Sequence, residues 1–415
     1  MTAASSESAP ATDGPRINLR RPEVMELVAA EVSRHYESSL VEKLRQRGGK
    51  LTIGNTTVRL AKEFGFCYGV ERAIDLAYAS RRVFPQQRLF LIGEIIHNPE
   101  VNRQLREMKI ESLPWQELSA CYDELTEDDV VIVPAFGAPT ALMKKLEERG
   151  CKVVDTTCGD VMKVWRRVRS YARDGVTSII HGKENHEETR ATESRAMGEA
   201  GNGQCLVILT LADADYVCDY IRGHGQREDF LKRFKHASSP GFDPDLHLRR
   251  VGVANQTTML KSETEEIQRR LRDAVIERDG DASGLQVFDT ICGATQDRQD
   301  ALFEMLREPP DMLLVVGGYN SSNTSHLVEI GAQQLPTFFI RDASCIKSLE
   351  KIVHFDLQCR EEITSVYSQL LLGEQAVTVG ITAGASCPNN LIEEAIIRIF
   401  GLRGIGPAAV AGASG

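Results

Sequence analysis

Six short runs of nearly unbroken apolar residues recur along the chain: RLFLIG (88–93), VVIVPAF (130–136), TSIIHG (177–182), CLVILT (205–210), MLLVVGG (312–318) and AVTVGITAG (376–384). Each is rich in Val, Ile or Leu and is separated from the next by segments with helical spacing. A strand with no polar alternate has both faces covered, the condition of a parallel sheet between helices. The fold class is therefore α/β. Two of the intervening helices are plain in the sequence. TALMKKLEERG (140–150) puts Leu142, Met143 and Leu146 on one face and ends at Gly150, and Glu263 to Gly280 places Ile267, Leu271, Ala274 and Val275 at helical spacing.

With 415 residues the chain has room for two or three domains. The lobes are expected at 60–150, 151–285 and 286–400, with a polar, turn-rich surface insertion near 223–249 in the second. Residues 1–59 read as an appended arm, a disordered tail followed by a helix from Pro22 to about Arg47, and 401–415 as a C-terminal tail. A net charge of -10 excludes a general nucleic-acid binder, because phosphate contacts need a basic face. No run of eighteen apolar residues exists to span a membrane, and no basic-then-apolar signal segment opens the chain. The expected location is the bacterial cytoplasm, ahead of the plastid stroma.

Ten cysteines without a signal segment point to free or metal-binding thiols. Three share one setting: GFCYGVERAI around Cys67, DTTCGDVMKVWRRV around Cys158 and DTICGATQDRQDAL around Cys292. Each follows a β-prone segment, meets a Gly within two residues and enters a helical pattern. At a helix start the unpaired N–H groups favour thiolate, the metal-binding form. Cys121, Cys151, Cys205, Cys218, Cys345, Cys359 and Cys387 lack this setting and are assigned to packing or surface. Structural zinc usually takes close CxxC pairs and four ligands, whereas three separated single ligands suit an iron-sulfur cubane whose fourth iron has no protein ligand.

Other strand ends carry polar chemistry. IIHNPEV supplies His97, and HGKENHEETRAT supplies His186, Glu187 and Glu188, groups suited to binding an anion or moving a proton. GGYNSSNTSHL offers Ser321, Ser322 and Asn323, TAGASCPNN offers Ser386, and NQTTML offers Thr257 and Thr258. Such loops present N–H and hydroxyl donors to phosphate oxygens.

Taken together, EFGFCYGVERAI, GEIIHNPEV, DTTCGDV, NQTTM, FDTICGATQDRQ, NSSNTSH and TAGAS resemble the 4-hydroxy-3-methylbut-2-enyl diphosphate reductase family, in its order and over residues 60 to 400. The resemblance implies three α/β lobes with pseudo-threefold symmetry around a 4Fe-4S cluster on Cys67, Cys158 and Cys292, with one iron open to substrate. It implies diphosphate binding by His97, His186, Ser321, Ser322, Asn323 and Ser386, proton donation by Glu188, and Thr257 near the substrate hydroxyl. The implied reaction of the methylerythritol phosphate route is a reductive dehydroxylation of the allylic diphosphate to isopentenyl and dimethylallyl diphosphates. Its single-electron donor is ferredoxin or flavodoxin. PAFGAPT places Phe136 where many bacterial members have a diphosphate-contacting histidine, and Glu187 stands where many have Pro, so the choice between Glu188 and Glu187 rests on alignment. These departures and the N-terminal arm look like the cyanobacterial and plastid branch, which favours ferredoxin. Two other readings remain: a non-redox hydratase or dehydratase using an open iron as Lewis acid, and a non-catalytic iron-sulfur sensor or scaffold.

Overall fold

The computed structural model describes residues 19–115, 121–198, 200–288, 290–366 and 375–413. The tail expected to be disordered, residues 1–14, lies outside them. The described chain opens with α1 (Pro22–Tyr36) and α2 (Ser39–Gln46), then the hairpin β1 (Lys50–Ile53) and β2 (Thr56–Leu60). Next come α3 (Tyr68–Val83), β3 (Leu89–Ile92), α4 (Pro99–Glu107), β4 (Ile110–Leu113), β5 (Val130–Val133), α5 (Thr140–Glu148) and β6 (Lys152–Asp155). A second stretch runs α6 (Gly159–Arg173), β7 (Thr177–His181), α7 (Glu187–Ala196), β8 (Cys205–Ile208), α8 (Leu211–Ile221), α9 (Arg227–Arg233), α10 (Pro244–His247), β9 (Val251–Asn255), α11 (Lys261–Asp279) and β10 (Leu285–Gln286). The third runs α12 (Gly293–Leu306), β11 (Met312–Val316), α13 (Ser322–Ala332), β12 (Thr337–Ile340), β13 (Lys351–Asp356), β14 (Glu361–Val366), β15 (Val377–Ala383), α14 (Asn389–Leu402) and α15 (Pro407–Ala413).

These strands form three main sheets, in the orders β4-β3-β5-β6, β10-β9-β7-β8 and β1-β2-β15-β11-β12, with β13 and β14 as a separate hairpin. All pairings in the first two are parallel, and in the third only β1 with β2 is antiparallel. The strands β3, β5, β7, β8, β9 and β11 are buried at every residue. That is the physical meaning of their unbroken apolar runs: helices cover both faces.

The structure differs from the expected division in five places. Residues 50–60 are no appendage, since β2 pairs with β15 and completes the third sheet. β6 pairs with β5, so the first sheet extends past residue 150 to Asp155. The expected single helix from Pro22 breaks at Glu37, because Ser38 takes an extended conformation and its hydroxyl caps α2 by accepting from Val41 N at 3.0 Å. The segment near 223–249 is anchored rather than superficial: Phe230, Phe234, Phe242 and Leu248 are buried in the core of the second sheet. Likewise the expected C-terminal tail contains α15, whose Val410 is buried in the third core.

Candidate active site

Each of the three cysteines lies where the chain leaves one sheet for the next. Cys67 follows β2 of the third sheet and caps α3, which packs on the first. Cys158 follows β6 of the first sheet and caps α6, which packs on the second. Cys292 follows β10 of the second sheet and caps α12, which packs on the third. The local hydrogen bonding repeats too. Each cysteine N–H donates to a carbonyl just past the end of the neighbouring strand in its own sheet: Cys67 to Ala385 (3.3 Å), Cys158 to Ala135 (2.8 Å) and Cys292 to Thr257 (3.4 Å). Three equivalent corners thus meet at one place, which is the pseudo-threefold relation in physical form.

The space between the thiols is kept by glycine. A Cβ on Gly69 would lie 2.5 Å from Cys158 Sγ and 3.9 Å from Cys67 Sγ, so any side chain there would fill the gap between the two sulfurs. Cys292 Sγ donates to Asp160 Oδ2 at 3.2 Å, two residues beyond Cys158. Burial raises the Cys158 thiol, although the Asp160 and Val161 N–H groups pull it down. Burial pushes Cys292 up to about 12, against the Thr295 N–H and with the Asp160 carboxylate adding to the rise. The lowering expected from the helix starts is therefore present but outweighed by burial. Without a cation these two thiols keep their protons, and a bound metal would replace them. Three half-buried sulfur donors around a glycine-cleared space fit a metal-sulfur group.

The thiols line a cavity of about 120 Å³ together with His97, His186, Glu188, Thr257, Ser321, Ser322, Asn323 and Ser386, so the structure brings every expected site residue to one place. Two helix N-termini point into it. His186 is the N-cap of α7, and Ser321 is the N-cap of α13 with its hydroxyl accepting from Thr324 N at 3.3 Å. Both ends add positive potential where an anion would sit. Burial, with the neighbouring His97 second, lowers the His186 pKa well below its usual value, so the ring is neutral. Its Nδ1 accepts from Glu188 N at 3.1 Å, which leaves the ring proton on Nε2 as a donor. Asn323 Oδ1 accepts from Ala385 N at 3.0 Å while its buried Nδ2 has no partner among the described residues. Ser386 donates to the His97 carbonyl at 3.3 Å. Among the described residues no lysine or arginine lines this cavity, so an anion here would be held by neutral donors and helix ends.

Glu188 is the buried acid. It is 3% exposed, and burial raises its pKa to about 7 against the stabilising hydrogen bonds from Thr257. Thr257 N donates to Oε1 at 2.6 Å and Thr257 Oγ1 to Oε2 at 3.0 Å. Glu187 stands against His97 instead, its Oε2 3.6 Å from Nε2. It lines an outer cavity of about 1060 Å³ that shares His97, His186 and Ser322 with the inner one. The two glutamates that sequence alone left open to exchange are thus separated by geometry, with only Glu188 on the inner cavity.

Several contacts at the site escaped the sequence reading. His97 sits between two carboxylates, Glu94 Oε2 at 3.0 Å from Nδ1 and Glu187 Oε2 at 3.6 Å from Nε2. Phe136, noted in the sequence as a departure from the family pattern, stacks on the His97 ring with centroids 4.8 Å apart at 12°. It gives up a donor and holds the imidazole flat. Gln256 donates from Nε2 to Ser322 Oγ at 3.3 Å and accepts Lys183 N on Oε1 at 3.1 Å, tying three loops together. Glu94 lies within GEIIHNPEV and Gln256 within NQTTM, but nothing local to those motifs singled the two side chains out.

Residues 58–400 match the family described as LytB protein. A protein of Gloeobacter violaceus called 4-hydroxy-3-methylbut-2-enyl diphosphate reductase is 48% identical over 394 residues, 93% of this chain and 92% of its own length. One of the same name from a Synechococcus strain is 47% identical over 380 residues, 91% of this chain and 93% of its own. A solved structure of (E)-4-hydroxy-3-methyl-but-2-enyl diphosphate reductase superposes with a TM-score of 0.50 at 28% identity, covering 82% of this chain and 98% of that one. The corresponding reductase structure from Plasmodium falciparum has a TM-score of 0.60 at 20% identity over 82% of this chain and 86% of its own, a likeness of fold. With its three cysteine corners and shared cavity, this chain belongs to the LytB protein family.

Proposed function

We propose that this protein reduces 4-hydroxy-3-methylbut-2-enyl diphosphate to isopentenyl and dimethylallyl diphosphates. The balance is one allylic alcohol, two electrons and two protons in, with the C–O bond broken, and one C–H bond and one water out. The observation that carries the reading is the composition of a single cavity: three helix-capping cysteines at one end, neutral anion donors on two helix N-termini at the other, and a buried acid between.

Cys67, Cys158 and Cys292 would hold the iron-sulfur cluster, read as a 4Fe-4S group with these three protein ligands, and when bound it would supply electrons and Lewis acidity at the allylic oxygen. The rest belongs to the chain. His186 Nε2, Ser321, Ser322, Asn323 Nδ2, Ser386 and His97 bind the diphosphate and so place the allylic end against the cysteine corner. Glu188, with a pKa of about 7, holds a proton for the departing hydroxyl near neutral pH. Thr257 keeps the carboxyl aimed by two hydrogen bonds and presents its own hydroxyl beside it. The apolar wall of Val70, Ile96, Ala135, Phe136 and Val161 keeps bulk water from the allyl fragment. Electrons arrive singly from a protein carrier, ferredoxin ahead of flavodoxin, in the bacterial cytoplasm.

The test is anaerobic turnover of the allylic diphosphate by reconstituted protein with a viologen reductant. The expected result is the two C5 diphosphates with two electrons consumed per product. A water-loss product formed without electron consumption would instead establish a dehydratase, and cluster binding without diphosphate binding a sensor or scaffold.

A further inference from the structure

The helix that carries the second cysteine is the most basic segment of an acidic protein. α6 holds Lys163, Arg166, Arg167, Arg169 and Arg173 in fifteen residues, with Asp160 as its only acid, in a chain of net charge -10. Asp160 is spoken for by Lys163 at 2.6 Å and by Cys292. Arg167 lies over the Phe288 ring, 3.1 Å from its centroid. Arg166, Arg169 and Arg173 are exposed, and none makes an ion pair with the described residues. At ~1.5 Å per residue they stand about 12, 16 and 22 Å along the helix from the Cys158 corner. Asp174, just past the helix end, takes the Ser170 hydroxyl at 3.5 Å.

A second observation concerns the cover over the cysteines. The residues that follow them are Tyr68, Gly159 and Gly293, all exposed. Nothing lies within 4 Å of where a Cβ on Gly159 or Gly293 would be, so no side chain covers the backbone at those two positions. Tyr68 is 74% exposed, a large aromatic left bare beside a sulfur ligand, and Phe288 is 38% exposed at the foot of the basic stripe. A thin cover, two exposed rings and an uncommitted row of guanidinium groups are the ingredients of a small polar-rimmed encounter surface. Weak redox encounters bury less than about 1,200 Å² in total, a footprint on the scale of this stripe.

We propose that the exposed face of α6, with Tyr68 and Phe288, is the docking surface for an acidic single-electron carrier protein. This rests on the reductase reading, because only a reductase needs two successive one-electron deliveries per turnover. Each encounter oxidises one reduced carrier by one electron, which passes inward through the cysteine corners. Charge complementarity selects the occupant: three unpaired arginines attract an acidic protein, and the overall negative charge of the chain orients it onto this face.

The experiment measures binding by calorimetry between cluster-loaded protein and an oxidised acidic [2Fe-2S] ferredoxin, at low salt and at about 0.5 M salt, where the Debye length is a few ångströms. The triple variant Arg166→Glu, Arg169→Glu, Arg173→Glu is expected to bind about 10- to 100-fold more weakly at low salt. Wild-type affinity should fall by a similar factor in high salt. Ferredoxin-driven turnover should drop with the binding, while viologen-driven turnover of the variant stays at the wild-type rate. Equal binding of wild type and variant, or wild-type binding indifferent to salt, overturns the proposal. So does selective binding of duplex DNA to this face in place of ferredoxin. If the glutamate variant does not fold, the corresponding Gln triple carries the same comparison. Loss of viologen-driven turnover in the wild type would count against the reductase reading alone, since binding is read independently.

Discussion

Replacing Glu188 with glutamine removes the buried acid while keeping its shape and its contacts. The amide oxygen still accepts from Thr257 N, and the Thr257 hydroxyl can turn to accept from the new NH₂ group. What disappears is the titration. With a folded pKa of about 7 against the ordinary 4.5, the native protein holds an extra proton between those values, so its stability falls as pH rises through that window and levels off above it. The slope integrates to about 3 kcal/mol. Urea unfolding of cluster-free protein from pH 4.5 to 8 should show that decline in the wild type and a shallower one in the Gln variant, where Glu193, which burial also raises to about 7, still titrates. Turnover should respond in parallel. Glu188 is about half protonated at pH 7 and about one-tenth protonated at pH 8, so wild-type kcat/KM should fall about fivefold between them. The Gln variant should lose about 100-fold or more in kcat with substrate binding nearly intact. A Gln variant with wild-type turnover, or one whose stability keeps the same pH slope, refutes the assignment of Glu188 as the proton source.

Other substitutions probe the two ends of the cavity. Gly69→Ala should leave the secondary structure unchanged by circular dichroism but sharply lower iron retention, because the new methyl would sit against Cys158 Sγ. Glu187→Gln removes a carboxylate 3.6 Å from His97 Nε2, and relief of its repulsion should lower the KM for the diphosphate about fivefold, ~1 kcal/mol, with kcat unchanged. Phe136→Ala frees the ring stacked on His97 and should raise KM about fivefold, the value of ~1 kcal/mol of aromatic stacking, read by steady-state kinetics.

What sequence reveals here is set by how local the determinant is. The strands β3, β5, β7, β8, β11 and β15 were readable because burial on both faces writes itself as short runs rich in Val, Ile and Leu. α5 and α11 were readable with their stops, since Gly150 and Gly280 both adopt positive φ. The three cysteines could be grouped because a strand-to-helix corner has a local signature. The pairing of β2 with β15 could not be read, as those partners lie some three hundred residues apart and parallel registry leaves no local mark. Nor could the burial of Phe230, Phe234 and Phe242, whose polar and turn-rich surroundings hide three rings that meet only in the fold. The difference between Glu187 and Glu188 is of the same kind: neighbours on one helical turn point into different cavities, and only the position of His97 and Thr257 tells them apart.

The central claim is that Cys67, Cys158 and Cys292 together hold one cluster that leaves an iron for substrate. Its most direct measurement is the iron and sulfide content of anaerobically reconstituted protein, for wild type and for each Cys→Ser variant, with Cys387→Ser as control. The account predicts about four irons and four sulfides per wild-type chain and per Cys387→Ser chain, loss of most of both in each of the three ligand variants, and a spectrum that shifts when the allylic diphosphate is added. Full iron content in any one of those three variants, together with full turnover, contradicts it.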